Sequence, residues 1–145
     1  MQDKSAIKNS TNTGNITTSK NDVGGIAGVL FDNSRIENCT NEGEVGAEKD
    51  IAGGIVSRMF DKSIVKDCVN KGEIKSEMCT GGIAGYMYDY SMVENCKNNG
   101  NVDSMGVAGG IAGVLFNESK VESCTNESTV TAPNCLGDIF GYKAE

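Results

Sequence analysis

Histidine and tryptophan are missing from this sequence, proline occurs once, and only eight aromatic rings serve 145 residues. Each shortage removes something. Without histidine there is no imidazole for acid–base work and no nitrogen ligand for a metal. With so few rings, large side chains cannot be the main filling of a core. No run approaches the roughly 18 apolar residues that suggest a membrane span. The opening MQDKSAIKNSTNTGN lacks the basic-then-apolar plan of a signal peptide, which leaves a cytosolic protein or one whose signal has been removed. Cations are scarce as well: 13 Lys and Arg face 20 Asp and Glu, a net charge of −7. Phosphate binding needs clustered cations, so nucleic acid and an anionic membrane surface are both poor partners, and membrane insertion is not expected. The acidic excess reads as solubility.

Glycine, by contrast, is abundant, with 19 copies. That density implies tight turns or close backbone approaches. It is also periodic. GGIAGVLFDNSRIENC from Gly24 returns as GGIVSRMFDKSIVKDC, GGIAGYMYDYSMVENC and GGIAGVLFNESKVESC, with a degenerate fifth start at Gly137. The starts Gly24, Gly53, Gly81, Gly109 and Gly137 are spaced 29, 28, 28 and 28 residues apart. One fixed period is the signature of a repeat architecture. The chain reads as a single domain, 1–145, with a partial unit 1–23, full units 24–52, 53–80, 81–108 and 109–136, and a partial unit 137–145.

Helix is unlike this composition, because Gly, Asn, Thr, Ser and Val crowd every unit and no 3.6-residue apolar stripe persists. Three short β-like pieces recur instead, GGIAGVLF, SRIENCTN and GEVGA, separated by turn residues. The expected fold is therefore all-β: a parallel β-solenoid of about five coils, 28–29 residues each, with three short strands per coil. Coils pair in register about 4.8 Å apart, so equal positions stack into columns. Four apolar columns, headed by Ile26, Leu30, Ile36 and Val45, are assigned to the interior. The column Gly28, Ser57, Gly85, Gly113 and Gly141 has almost no side chain, which lets walls approach or fits a bend.

The remaining columns carry whatever chemistry there is. Cys39, Cys68, Cys96 and Cys124 share one position. A ladder points its thiols in parallel instead of converging them on a metal, and holds them too far apart for disulfides. Buried reduced thiols used as small apolar fillers are expected, which fits a cytosolic or anaerobic setting better than an oxidising one. Asn41, Asn70, Asn98 and Asn126, preceded by Asn12, suggest a structural ladder of side-chain amides at a corner, where Asn also tolerates left-handed geometry. Ser34, Ser63, Ser91 and Ser119 read as turn residues. The acidic column Asp32, Asp61, Asp89 and Asn117 reads as Asx-turn capping in preference to a calcium site, which would need six or more converging oxygens. Phe31, Phe60, Tyr88 and Phe116 form an aromatic column. We expect its burial at a corner; exposed, it is the candidate contact surface. No nucleophile elbow or phosphate loop is present, no catalytic residue, cofactor or metal site is assigned, and the chain is not expected to be an enzyme.

On these residues the sequence resembles the GLUG-motif repeat family. The Gly-apolar-any-Gly core stands at 25–28, 82–85 and 110–113, with 54–57 a departure because Ser57 replaces the last glycine. A Cys-x-Asn-x-Gly stretch stands at 39–43, 68–72 and 96–100, and Ser128 replaces its glycine in the fourth unit. The resemblance implies bacterial surface or secreted proteins, namely adhesins and non-catalytic repeat regions of immunoglobulin A-cleaving metallopeptidases. No HExxH motif occurs, so no peptidase activity carries over.

The expected function is a non-catalytic structural and binding repeat module, adhesin-like, with a host protein or glycan as partner. One alternative is a glycan-binding or glycan-active β-helix. Another is a filament subunit: no amphipathic cap is visible at either end, which predicts a piece of a longer array or coils that stack end to end between chains.

Overall fold

The structure is a computed structural model that describes residues 4–144. It is a parallel β-solenoid with no helix among the described residues. Among the described residues, twenty-five short strands form five sheets of five strands, and every pairing is parallel between equivalent positions of successive coils. The coil that follows the Phe31–Ser34 corner serves as the reference, and it contains β6 (Arg35–Glu37), β7 (Thr40–Asn41), β8 (Val45–Ala47), β9 (Ile51–Gly53) and β10 (Val56–Met59). The solenoid is as expected, but each coil has five strands where three were expected.

Local conformation explains the extra corners. SRIENCTN breaks at Asn38, whose φ of 51° is left-handed and cannot continue a strand. GGIAGVLF is likewise split, because its first glycine closes one strand (Val23–Gly24) and Ala27–Leu30 begins the next. The corner before β6 is a two-residue turn. Asp32 and Asn33 have φ of 52° and 60°, and the Ser34 N–H donates to the Phe31 carbonyl at 3.0 Å. Positive φ at both central residues is the type I′ signature, to which Asp and Asn are suited. The same turn recurs at Asp61–Lys62, Asp89–Tyr90 and Asn117–Glu118.

No described glycine has positive φ, so glycine's role here is close approach and not turn geometry. A Cβ on Gly53 would lie 1.9 Å from the Val56 carbonyl oxygen, and one on Gly54 would lie 2.0 Å from that of Gly82. The Gly85 column works differently. A Cβ there would come within 2.2 Å of Ile51 Cγ2, so its emptiness lets β9-type side chains press against the adjacent wall.

All four assigned columns lie inside, half-buried only in the first and last coils. The interior has two compartments. Leu30, Ile36, Cys39, Ile55 and Met59 with their coil-mates fill the larger; Val23, Val45, Ala47, Ala52 and Ile74 fill the smaller. The partition can be read along the chain: Asn41 lies between Cys39 and Val45, and Gly25 lies between Val23 and Ile26. A Cβ on Gly25 would sit 2.6 Å from Asn41 Cγ. A third cluster of Ile51, Cys79 and Val114, with Tyr86 and Phe116 against it, packs on the opposite face of β9 from Ala52.

These contacts make the glycine pairs the least replaceable positions. Gly82→Ala puts a methyl 2.1 Å from the Gly110 carbonyl oxygen and 2.5 Å from Asn98. Overpacking against backbone costs about 3 kcal/mol, and urea unfolding should show that loss, whereas Gly46→Ala, whose Cβ meets nothing nearer than 3.8 Å, should be near neutral.

Candidate functional site

The most ordered polar feature is the amide ladder. Asn12 Nδ2 donates to Asn41 Oδ1 at 2.8 Å, and the bond repeats from Asn41 to Asn70, Asn70 to Asn98 and Asn98 to Asn126 at 2.8 to 2.9 Å. The second amide hydrogen is used in the same coil: Asn41 donates to the Gly43 carbonyl at 2.7 Å and Asn70 to that of Gly72 at 2.8 Å. Asn41, Asn70 and Asn98 are fully buried. They lie in strands, not at left-handed corners. Besides the type I′ turns, the left-handed residues include a column not singled out from the sequence, Asn9, Asn38, Asp67, Asn95 and Ser123. Its side chains also link rungs, with Asn38 Nδ2 bonded to Asn9 Oδ1 at 2.7 Å. Its constant spacing was the available signal.

The cysteines follow from that corner. The Cys39 N–H is taken by Cys68 Sγ at 3.4 Å, that of Cys68 by Cys96 Sγ at 3.4 Å, and that of Cys96 by Cys124 Sγ at 3.3 Å. Sulfur therefore accepts a backbone donor that the left-handed residue has turned inward, as well as filling space. All six cysteines are free thiols. Their acidities diverge: burial pushes the Cys79 thiol up to about 12. Cys124 is lowered to about 7, chiefly by its side-chain bond with Cys96, against the cost of desolvation.

The aromatic column is a continuous stack. Phe31 to Phe60, Phe60 to Tyr88 and Tyr88 to Phe116 have centroids 5.1, 5.3 and 5.1 Å apart, with planes within 14° of parallel. The expectation of burial at a corner is corrected: the rings are half-buried and lie outside the main interior cluster, with Tyr88 and Phe116 against Tyr86. The type I′ turn that begins at each ring turns the chain before a second inward position is reached. Stacking covers the ring faces and leaves edges outward.

The acidic column occupies the left-handed turn positions. Asn117 Nδ2 donates to Asp89 Oδ1 at 2.8 Å, and Asp32 and Asp61 are exposed. Backbone conformation explains these residues better than side-chain capping does. An unforeseen ion pair joins Arg58 Nε to Asp22 Oδ2 at 2.6 Å across one coil. A surface depression of about 280 Å³ lies over the β8 wall and includes Thr17, Gly46, Lys75 and Asp103. Lys75 there is tied to Glu73 at 2.9 Å. No cluster of three or more metal-ligating side chains occurs among the described residues.

The fold defines the class, a repeat protein whose buried polar groups serve coil-to-coil stacking. Within that class, the GLUG motif matches the chain at two places, residues 21–46 and 76–103, consistent with a GLUG-motif repeat family. No curated protein matches the chain. The stretch between the two matches contains Ser57, and the stretch after them contains Ser128. Both serines are accommodated by hydrogen bonds, Ser57 Oγ to the Ile51 carbonyl at 3.0 Å and Ser128 Oγ to Asn126 Oδ1 at 2.7 Å.

Asn70→Ala should cost about 3 kcal/mol, since it strands buried partners on both neighbouring coils; a thermal melt reads the loss, and Asn12→Ala at the edge should cost less. Native thiol labelling at pH 8 should modify Cys124 first and leave Cys68, Cys79 and Cys96 unmodified until denaturant is added. Rapid native labelling of Cys79 would contradict its burial.

Proposed function

We propose that this chain is a non-catalytic structural and binding module of a bacterial cell-surface or secreted protein, adhesin-like in use. The observation that carries the reading is the employment of the buried polar groups. Buried asparagine amides and cysteine thiols bond to neighbouring coils, and the Ser76 and Ser104 hydroxyls at the outer depression are engaged within the fold, Ser76 with Cys79 and Thr80 and Ser104 with the Gly106 N–H. A rigid rod with regular outer columns is suited to holding other parts apart and to presenting a surface.

The contact surface we favour is the aromatic stripe of Phe31, Phe60, Tyr88 and Phe116, extended by Tyr86. Because neighbouring rings cover one another's faces, the flat stacking that sugars prefer is denied along the stripe. Ring edges suit a protein partner's apolar side chains better than a glycan. The test is binding of the purified chain to immobilised host matrix proteins before and after enzymatic deglycosylation, together with a reducing-end assay on acidic polysaccharides. Binding that survives deglycosylation, falls at least tenfold in Phe60→Lys and comes with no polysaccharide cleavage supports the proposal. Reducing ends released, or binding abolished by deglycosylation alone, sinks it.

A further inference from the structure

Two outer walls carry charges that the chain does not pair with itself. Over the β8 wall, Glu48, Glu77 and Asp103 at the depression of about 280 Å³ take no ion pair among the described residues. The gap there is the missing side chain of Gly46, whose Cβ would meet nothing nearer than 3.8 Å. Over the β6 wall a second depression, about 260 Å³, is lined by Lys62, Ile64, Tyr90, Met92, Glu118 and Lys120. Lys62 and Lys120 are exposed and unpaired among the described residues, and Tyr90, on the coil between them, is 62% exposed. Elsewhere the outer charges are matched in place: Lys8, Lys66, Lys71 and Lys97 each bond a glutamate of an adjacent coil.

Both depressions are laid out on the same grid. Lys62, Tyr90 and Glu118 stack as the second residues of successive turns, and Ile64, Met92 and Lys120 stack two residues further along the chain. Lys62 and Lys120 therefore stand two coils and two residues apart. On the β8 wall, Gly46, Lys75 and Asp103 form one column, and Glu48, Glu77 and Met105 form the column two residues on. Glu48 and Asp103 are again two coils and two residues apart, on the opposite diagonal. A face turned over to meet another reverses its diagonal. The lysine pair thus falls over the carboxylate pair, and the coil spacing of about 4.8 Å is common to both.

We propose that these two walls are the two halves of a side-by-side contact between copies of this chain. With the solenoid axes parallel, Lys62 meets Glu48, Lys120 meets Asp103, and Ile64 falls over the gap at Gly46. Tyr90 then faces Glu77, a carboxylate to which its hydroxyl can donate. Charge complementarity selects the occupant, because the cationic groove and the carboxylate-rimmed one share a grid that only another solenoid of this spacing reproduces. Each copy offers one wall and receives the other, so the contact is heterologous and propagates into rows. It uses no residue of the aromatic stripe and goes beyond the function proposed for that stripe.

Charge reversal tests this by sedimentation equilibrium. The buffer holds about 0.15 M salt, where screening beyond about 8 Å weakens the repulsion between chains of net charge −7 more than it weakens close pairs. The mean mass of wild type should at least double as its concentration is raised to about 1 mM. Lys62→Glu with Lys120→Glu, and Glu48→Lys with Asp103→Lys, should each stay at the mass of one chain. An equimolar mixture of the two should associate again, because every reversed wall then finds its complement. Gly46→Leu fills the gap without changing a charge; it should weaken association about tenfold and leave the thermal melt unmoved. Circular dichroism checks that each variant keeps its β signature. A wild type that stays a single chain, reversed variants that associate as wild type does, or a mixture no heavier than its components would overturn the proposal. A single-chain wild type that binds added oligolysine would overturn it too, and would give the β8 wall to a basic partner instead.

Discussion

The distance between one coil and the next at the line where the glycine pairs meet the asparagine amides governs the rest of this structure. Parallel coils sit about 4.8 Å apart, and an amide ladder of bonds at 2.8 to 2.9 Å is satisfied only when every coil keeps that spacing. A side chain on the glycines would break it. The tolerance is small because both sides of the contact are backbone or fully buried amide, and neither can move alone.

Register follows from the same line. A slip of one residue would turn every inward side chain out, and an apolar interior of Ile, Val, Leu and Met discriminates weakly between similar neighbours. Buried amides discriminate strongly, since an unpaired one costs about 1–3 kcal/mol. The ladder thus contributes less as net stabilisation than as a penalty on wrong alignments. The cysteines add a second check at the Asn38-type corner, where sulfur accepts a backbone N–H from the coil before. Stability in such a stack is close to a sum over coils and their interfaces, so the sequence must repeat wherever it faces its own neighbour. It is free to vary outside, where binding surfaces evolve.

Fold class was legible because period, columns and interior are one pattern: residues that stack must match, and matching residues are visible in a string. The interior columns and the ladder positions followed from that alone. Strand count was harder. Corners at Asn38, and between Gly24 and Ala27, are set by single backbone dihedrals and close contacts, and Asn or Gly is compatible with several conformations. The role of the cysteine sulfurs was equally hidden, since it depends on which way a neighbouring N–H points.

Sequence alone determined that this protein is a stack of like coils, because translation along an axis preserves residue identity at every step. Which way the aromatic column faces was decided by the tertiary structure. The ring of Phe31 was assigned to a corner interior, yet the turn at Asp32 and Asn33, both left-handed, sends it outside to stack on Phe60. Two-residue alternation predicts direction along a straight strand, but a strand of three or four residues between corners is too short for alternation to rule.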